Sequence, residues 1–415
     1  MLPNETTFVT AAKFRVSKTS MGDSLGEFIY GKSYLQRPDA VELDPCELVL
    51  SSKKYETSSM QGFFGAIRDA MPDYWGRRVI EKHSRKVGLE EFDYLMYSPD
   101  DRAGALGFGR EAEPPAPHYV FNQKINLNHL QEIAWEILNH QNLHKNPKEA
   151  VIQAEEFLLL GTSMGGERPK AVIEDNESLW VAKFSSPEDR WNHPGVEHAF
   201  LELAKACGIQ AAESKITKVG EQDVLLIRRF DRNYTPEGYQ RHRMISALTM
   251  LKKDDSTSSR QKWSYLVLAD EIRRISQDPK SDLKELFLRM CFNALISNLD
   301  DHPRNHAMLA KGTTWRLSPA YDLTPTITIA EDARYLAMTC GHFGRMAKLD
   351  NLLSAHARFL LEKSESERLV KNLMDSIKTK WHPFLKKAGV SEADIKIISS
   401  AFLYPGFFQT SESEI

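Results

Sequence analysis

The sequence predicts an α+β protein with two lobes, a mixed lobe followed by a helical one, preceded by a small mixed N-terminal domain. Three observations carry that prediction. β-Branched and aromatic residues alternate near the start, in 7–16 and 26–34, as they do in half-buried strands. A second strand-rich stretch lies in mid-chain, around SLWVAKF and DVLLIRRF. From Leu266 onward helical periodicity dominates, interrupted only by a polar stretch from Asn298 to Thr326. At 415 residues the chain is too long for one ordinary core. The divisions expected are an N-terminal domain over 1–148 and a bilobed domain over 149–415, whose lobes part near residue 260.

Taken in order, the elements follow from local chemistry. After the first strands, GFFGAIRDAMPDYWGRRVIEK predicts helix within 60–87. The proline-rich REAEPPAPH of 110–118 reads as an exposed turn. Apolar periodicity predicts helices over 127–138 and 147–160. SMGGERPKAVIEDNESLWVAKF then reads as loop, strand, turn, strand, and a helix over 195–206 stops at Gly208. Asp223–Phe230 reads as a further strand.

Composition bounds the function. Hydrophobic residues make up 41% and charged residues 27%, the balance of a globular protein. A net charge of -3 argues against nucleic acid as the main partner. Cys46, Cys207, Cys291 and Cys340 lie far apart with no CxxC pair, which points to a reducing compartment and away from zinc. Neither a secretory leader nor an apolar run of about 18 residues is present, so a cytoplasmic protein with no membrane partner is expected.

The chemistry concentrates in SNLDDHPRNHAML, where Asp300 and Asn305 are five residues apart. Phosphoryl transfer asks little of a protein: a carboxylate that takes or orients the hydroxyl proton, and oxygen ligands for magnesium. A D-x-x-x-x-N loop supplies both, with Asp300 as base and Asn305 as metal ligand; a capped turn is the plainer alternative. Downstream, SPAYDLTPT offers Asp322 as a second oxygen ligand after an apolar and aromatic approach. Upstream, glycines in GTSMGGERPK allow backbone N–H groups to approach phosphates. Lys183 ends a predicted strand and suits a phosphate contact, and Glu197 on the next helix could pair with it. The order glycine loop, lysine, helix glutamate, D-x-x-x-x-N and metal Asp is that of a two-lobed kinase.

These segments resemble the HipA family of kinases. GTSMGGERPKAVIE resembles its glycine loop, LLIRRFDR its hinge, DDHPRNHAML its catalytic loop and LSPAYDLTPT its metal-binding segment, while DAMPDYWGRR and DDRAGALGF resemble its N-terminal region. The resemblance runs in family order over about 26–326. It implies a protein-kinase-like fold with Asp300, His302 and Lys183 as catalytic residues, His302 lying beside Asp300 and also at the nucleotide. Asn305 and Asp322 would hold Mg2+, and Lys183 the ATP phosphates. Gly165 and Gly166 belong to the loop over the nucleotide, the hinge from Arg228 to Phe230 would hold adenine, and Ser163 falls where family members phosphorylate themselves. Thr162 is the rival for that modification, and Asp301 the rival for the base; spacing to His302 and Asn305 favours Asp300. The resemblance further implies an ATP- and Mg-dependent Ser/Thr protein kinase. It would act as the toxin of a toxin–antitoxin pair, on a translation component such as an aminoacyl-tRNA synthetase. Its antitoxin partner would be a helix-turn-helix protein through which DNA is met indirectly. The alternatives are a small-molecule or lipid kinase with a related loop, and an inactive kinase-like module acting in repression.

Overall fold

The computed structural model describes residues 1–84, 86, 88–117, 121–123, 126–138, 158–159, 161, 166, 168–327 and 330–411. The expected helix over 147–160 therefore lies almost wholly outside the described residues, as do Thr162, Ser163 and Gly165. Two compact units are present. The first comprises 1–187, 218–245 and 309–314, and the second 188–217, 246–308 and 315–415.

In the first unit, β1 (Ala12–Lys18), β2 (Ser24–Tyr30) and β3 (Tyr55–Thr57) form an antiparallel sheet in that order. The first strand begins five residues later than the alternation in sequence suggested. The second ends at Tyr30, and a short helix, Lys32–Leu35, takes over the rest of its predicted span. Phe28, Tyr30, Phe63, Phe64 and Ile67 close one core over this sheet. The helix predicted within 60–87 is broken into a turn at Ser59–Gly62 and helices Gly65–Asp69 and Tyr74–Ser84. Pro72 forbids continuation through that point, because it has no N–H to donate and its ring disfavours helix in the residue before it.

A five-stranded sheet, ordered β4-β5-β6-β8-β7, holds the second core of this unit. Its strands are β4 (Asn122–Gln123), β5 (Lys170–Glu174), β6 (Leu179–Lys183), β7 (Ser214–Val219) and β8 (Gln222–Arg228). The helix Leu127–Leu138 buries Leu127, Leu130, Ala134 and Ile137, one stripe at the spacing of a single helix face. That stripe joins Trp75 and Val79 of the helix Tyr74–Ser84 and Ala171, Ile173, Ala182 and Leu226 of the sheet. Each buried large apolar side chain contributes about 1.5–3 kcal/mol. The hairpin of β9 (Arg232–Thr235) and β10 (Gly238–Arg241) follows the sheet.

The second unit is mostly helical. Its helix His193–Ala206 starts at Asn192, whose side chain accepts from the Gly195 N–H, and stops before Gly208 at φ +83°, a turn conformation that glycine takes without strain. The helix Tyr265–Ile275 is capped by the Ser264 hydroxyl, which accepts from Leu266 and Val267 N–H. The helix Pro279–Leu295 is buried along most of its length and carries the chain into the polar stretch. A further three-stranded sheet, not confined to this unit, consists of β11 (Arg243–Ser246), β12 (Ala307–Lys311) and β13 (Thr314–Leu317) in that order. The 25-residue helix Lys363–Lys387 lies toward the C-terminus. Among the described residues no helix is long and apolar enough to cross a membrane.

Candidate active site

In the second unit the polar stretch begins where the helix Pro279–Leu295 ends. Ser297 turns the chain with φ +53°, and its neighbour Asn298 is tied back to the helix through Asn298 N–H to the Asn293 carbonyl, 2.8 Å. Three bonds then close the next residues into a compact loop. His302 N–H reaches the Asp300 carbonyl at 2.7 Å, Asn305 N–H the His302 carbonyl at 2.9 Å, and the Asn305 amide nitrogen the Asp300 carbonyl at 3.4 Å. With its nitrogen turned to the loop's own backbone, Asn305 keeps its side-chain oxygen for another partner.

The Asp322 segment lies beside this loop. Thr326 N–H donates to the Ser297 carbonyl at 2.8 Å, Leu299 N–H to the Thr326 hydroxyl at 3.3 Å, and the Tyr321 hydroxyl to the Arg304 carbonyl at 2.7 Å. Asp322 itself stands at φ +60°, a backbone region that few non-glycine residues adopt. Such a conformation persists only where the surroundings impose it, and functional sites are where it collects. Asp300, His302, Asn305 and Asp322 are thus carried on two segments bonded to each other. An amide oxygen and a carboxylate form the donor set that suits a hard cation such as magnesium, which takes its other ligands from water and phosphate. Among the described residues no group of three or more His, Cys, Asp or Glu side chains could hold a metal by itself.

The two adjacent carboxyl groups differ sharply. Asp300 is exposed, whereas Asp301 is 1% exposed and accepts hydrogen bonds from the Tyr265 hydroxyl and from His306 Nε2, the latter at 2.7 Å. A carboxylate so enclosed cannot meet a substrate hydroxyl. Glu197 also belongs to the second unit, buried on the helix His193–Ala206.

The first unit holds the remaining candidates. Lys183 ends β6, half-buried, and pairs in register with Lys170 of β5 and Leu225 of β8. Cross-strand partners share a sheet face, so two lysines stand side by side. Gly166 has φ +103°, and a Cβ there would come within 2.8 Å of the Lys170 ammonium nitrogen. Its N–H donates to the Asp73 carboxylate, and the Trp75 indole donates to the Lys170 carbonyl at 3.2 Å. The MPDYW stretch is therefore built against the start of β5.

At the end of β8, Arg228 is exposed and Phe230 half-buried, while Arg229 turns inward. Arg229 pairs with Asp101 at 2.5 Å and Asp231 at 2.9 Å, and Arg232 pairs with Asp231 at 2.8 Å and Asp101 at 3.4 Å. Burial alone would raise the Asp231 carboxyl, but the Arg229 and Arg232 guanidiniums outweigh it and hold that group well below the usual carboxylate range. Next to this quartet, the Arg102 guanidinium donates to the carbonyls of Ala70, Leu95 and Ser98. Sequence reasoning quoted DDRAG and RFDR as separate motifs and missed that they meet. Their matching count of acidic and basic residues was the available signal.

Residues 162–381 match the family model described as the HipA-like C-terminal domain, and residues 10–109 match the HipA N-terminal domain. The chain belongs to the HipA family. A chain of the Shewanella oneidensis MR-1 complex of HipA, HipB and operator DNA has the same fold as this HipA protein. The TM-score is 0.64 at 14% identity, over 94% of each chain. The α+β class expected from the sequence is the class found. Among relatives, Y4mE of Sinorhizobium fredii is 23% identical over 337 residues, covering 78% of this chain and 77% of its own. Y4dM of the same organism is 29% identical over 211 residues, covering 48% and 49%. Both relatives have the word kinase in their names.

Proposed function

We propose that this HipA-family chain is an ATP- and Mg-dependent Ser/Thr protein kinase. One observation carries the reading: the exposed Asp300 shares a bonded pair of segments with the oxygen donors Asn305 and Asp322. Kinase names among the relatives support it. In this reading Asp300 accepts or orients the proton of a Ser or Thr hydroxyl. Asn305 and Asp322 hold magnesium through oxygen, and His302 lies beside the nucleotide. Lys183, Gly165, Gly166 and the hinge from Arg228 to Phe230 take the nucleotide-side roles, with Glu197 as a partner for Lys183. Bound Mg-ATP supplies the γ-phosphoryl group and the charge that screens it. Residues 1–148 act as the N-terminal domain and 149–415 as the kinase domain, and Ser163 is the autophosphorylation site.

The biological role proposed is that of a toxin with a helix-turn-helix antitoxin partner and a translation component such as an aminoacyl-tRNA synthetase as substrate. The solved complex of a related fold with HipB and operator DNA supports such a partner. The test is transfer of labelled γ-phosphate to proteins of a bacterial lysate by purified chain, wild type against Asp300→Asn, with phosphosites mapped by mass spectrometry. Phosphoserine or phosphothreonine that depends on Asp300 is expected. Transfer only to metabolites, or none at all with Mg-ATP bound, overturns the reading.

A further inference from the structure

The catalytic loop contains two pairs with the same five-residue spacing, offset by one position. Asp300 and Asn305 form the outer pair, with Asp300 exposed. Asp301 and His306 form an inner pair, 1% and 2% exposed, joined directly through Nε2 at 2.7 Å. Tyr265, fully buried, donates its hydroxyl to the same carboxylate oxygen, and its ring meets the His306 ring edge-on at 5.7 Å between centroids.

Both donors are anchored elsewhere. Tyr265 opens its helix directly after the Ser264 cap, and its N–H reaches the Thr339 carbonyl at 3.0 Å. The His306 carbonyl accepts from Ala247 N–H at 2.8 Å. Burial first and the Asp301 charge second raise the Tyr265 phenol well above its ordinary value, so it stays a donor. A buried carboxylate held by two anchored donors has one position, and the residue before it on the chain inherits that precision.

We propose that Asp301 is a positioning residue: clamped by Tyr265 and His306, it fixes the two ends of the loop so that the exposed Asp300 and the buried Asn305 are held in one geometry. The proposal rests on the kinase reading for its catalytic consequence, but the clamp itself has an independent readout. The bonds involved balance simply, with Tyr265 O–H and His306 Nε2–H as donors and one Asp301 oxygen as acceptor. A misplacement of about 1 Å at a reacting group costs about a hundredfold in rate.

The experiment uses the full chain and the variants Asp301→Asn, Tyr265→Phe, His306→Phe and His306→Gln. Two quantities are read: kcat and KM for Mg-ATP in phosphate transfer, and hydrogen exchange of the His302 and Asn305 amides. For Asp301→Asn, Tyr265→Phe and His306→Phe, kcat falls by about ten- to a hundredfold with KM for ATP little changed, and exchange in the loop quickens. His306→Gln, which keeps an N–H donor near the Nε2 position, recovers most of kcat. Tyr265→Phe keeps the buried ring and serves where Asp301→Asn fails to fold. Should wild type transfer no phosphate, the kinase reading fails while exchange still decides the clamp. Wild-type kcat and wild-type exchange in Tyr265→Phe and His306→Phe overturn the proposal, as does a loss in KM for ATP alone.

Discussion

Two buried acidic clusters, one in each unit, are built on different principles. In the first unit, Asp101 and Asp231 face Arg229 and Arg232, two charges against two, nearly sealed from solvent. In the second, Asp301 is met by a phenol and an imidazole, with hydrogen bonds in place of a guanidinium. The quartet joins stretches of chain about 128 residues apart, and its Arg229 and Arg232 guanidiniums also donate to the backbone carbonyls of Arg102 and Gly104. The Asp301 clamp spans one loop and one helix start. The contrast teaches that charge pairing suits a long-range join that must not slip, since a half-removed pair leaves a stranded charge. Hydrogen bonding suits a local adjustment of geometry beside a reacting group.

The largest effect that tests this contrast is on stability. Arg229→Met leaves Asp101 and Asp231 short of a partner, and a loss of about 3–5 kcal/mol is expected in denaturant unfolding. A loss below about 1 kcal/mol breaks the comparison, because hydrogen bonding alone then suffices in the quartet.

Asp300→Asn separates the exposed carboxylate from its buried neighbour. Phosphate transfer is expected to fall by about 10²–10⁴-fold, with Mg-ATP affinity retained and unfolding changed by no more than about 0.5 kcal/mol. Near wild-type transfer in this variant would move the base elsewhere. Asp322→Ala, in contrast, is expected to weaken Mg-ATP binding itself, and titration calorimetry with unchanged affinity counts against a metal role.

Tyr265→Phe removes one hydrogen bond to a buried carboxylate and should cost about 1–3 kcal/mol, less than Arg229→Met. Chemical denaturation of both variants side by side sharpens the comparison; equal costs would erase it.

Smallest is the response to pH. Asp231 has its carboxyl below the unfolded value of 3.8, so its stabilisation is complete above that value and is lost as pH falls through the folded one. Asp44 behaves oppositely. Burial raises it to about 6 in spite of N–H donors from Glu47 and Cys46, so the folded chain holds that proton more tightly between pH 3.8 and about 6. Its contribution therefore falls as pH rises through that window. Unfolding of wild type and Asp44→Asn from about pH 4 to 7 should diverge in that sense, and parallel curves would refute the assignment.

Much of the local structure was legible because its causes are local. The helix Leu127–Leu138 follows from its apolar spacing, the stop before Gly208 from glycine's φ +83°, and Lys183 at a strand end from the apolar run LWVA before it. Pro72 is equally visible in the sequence, and it breaks the helix expected within 60–87. The conformation at Asp322 had no local signal, since its left-handed turn is imposed by the neighbouring loop through Tyr321 and Thr326.

By itself, then, the sequence determined the elements, the family and the spacing of Asp300, Asn305 and Asp322, all of which are properties of residues near one another in the chain. Only the tertiary structure decided which of Asp300 and Asp301 faces outward, and that DDRAG and RFDR meet in one charged cluster. Burial is the reason. Whether a carboxylate reaches water or a buried hydroxyl depends on side chains such as Tyr265, 36 residues away in the chain, which no local pattern of charge or hydropathy records.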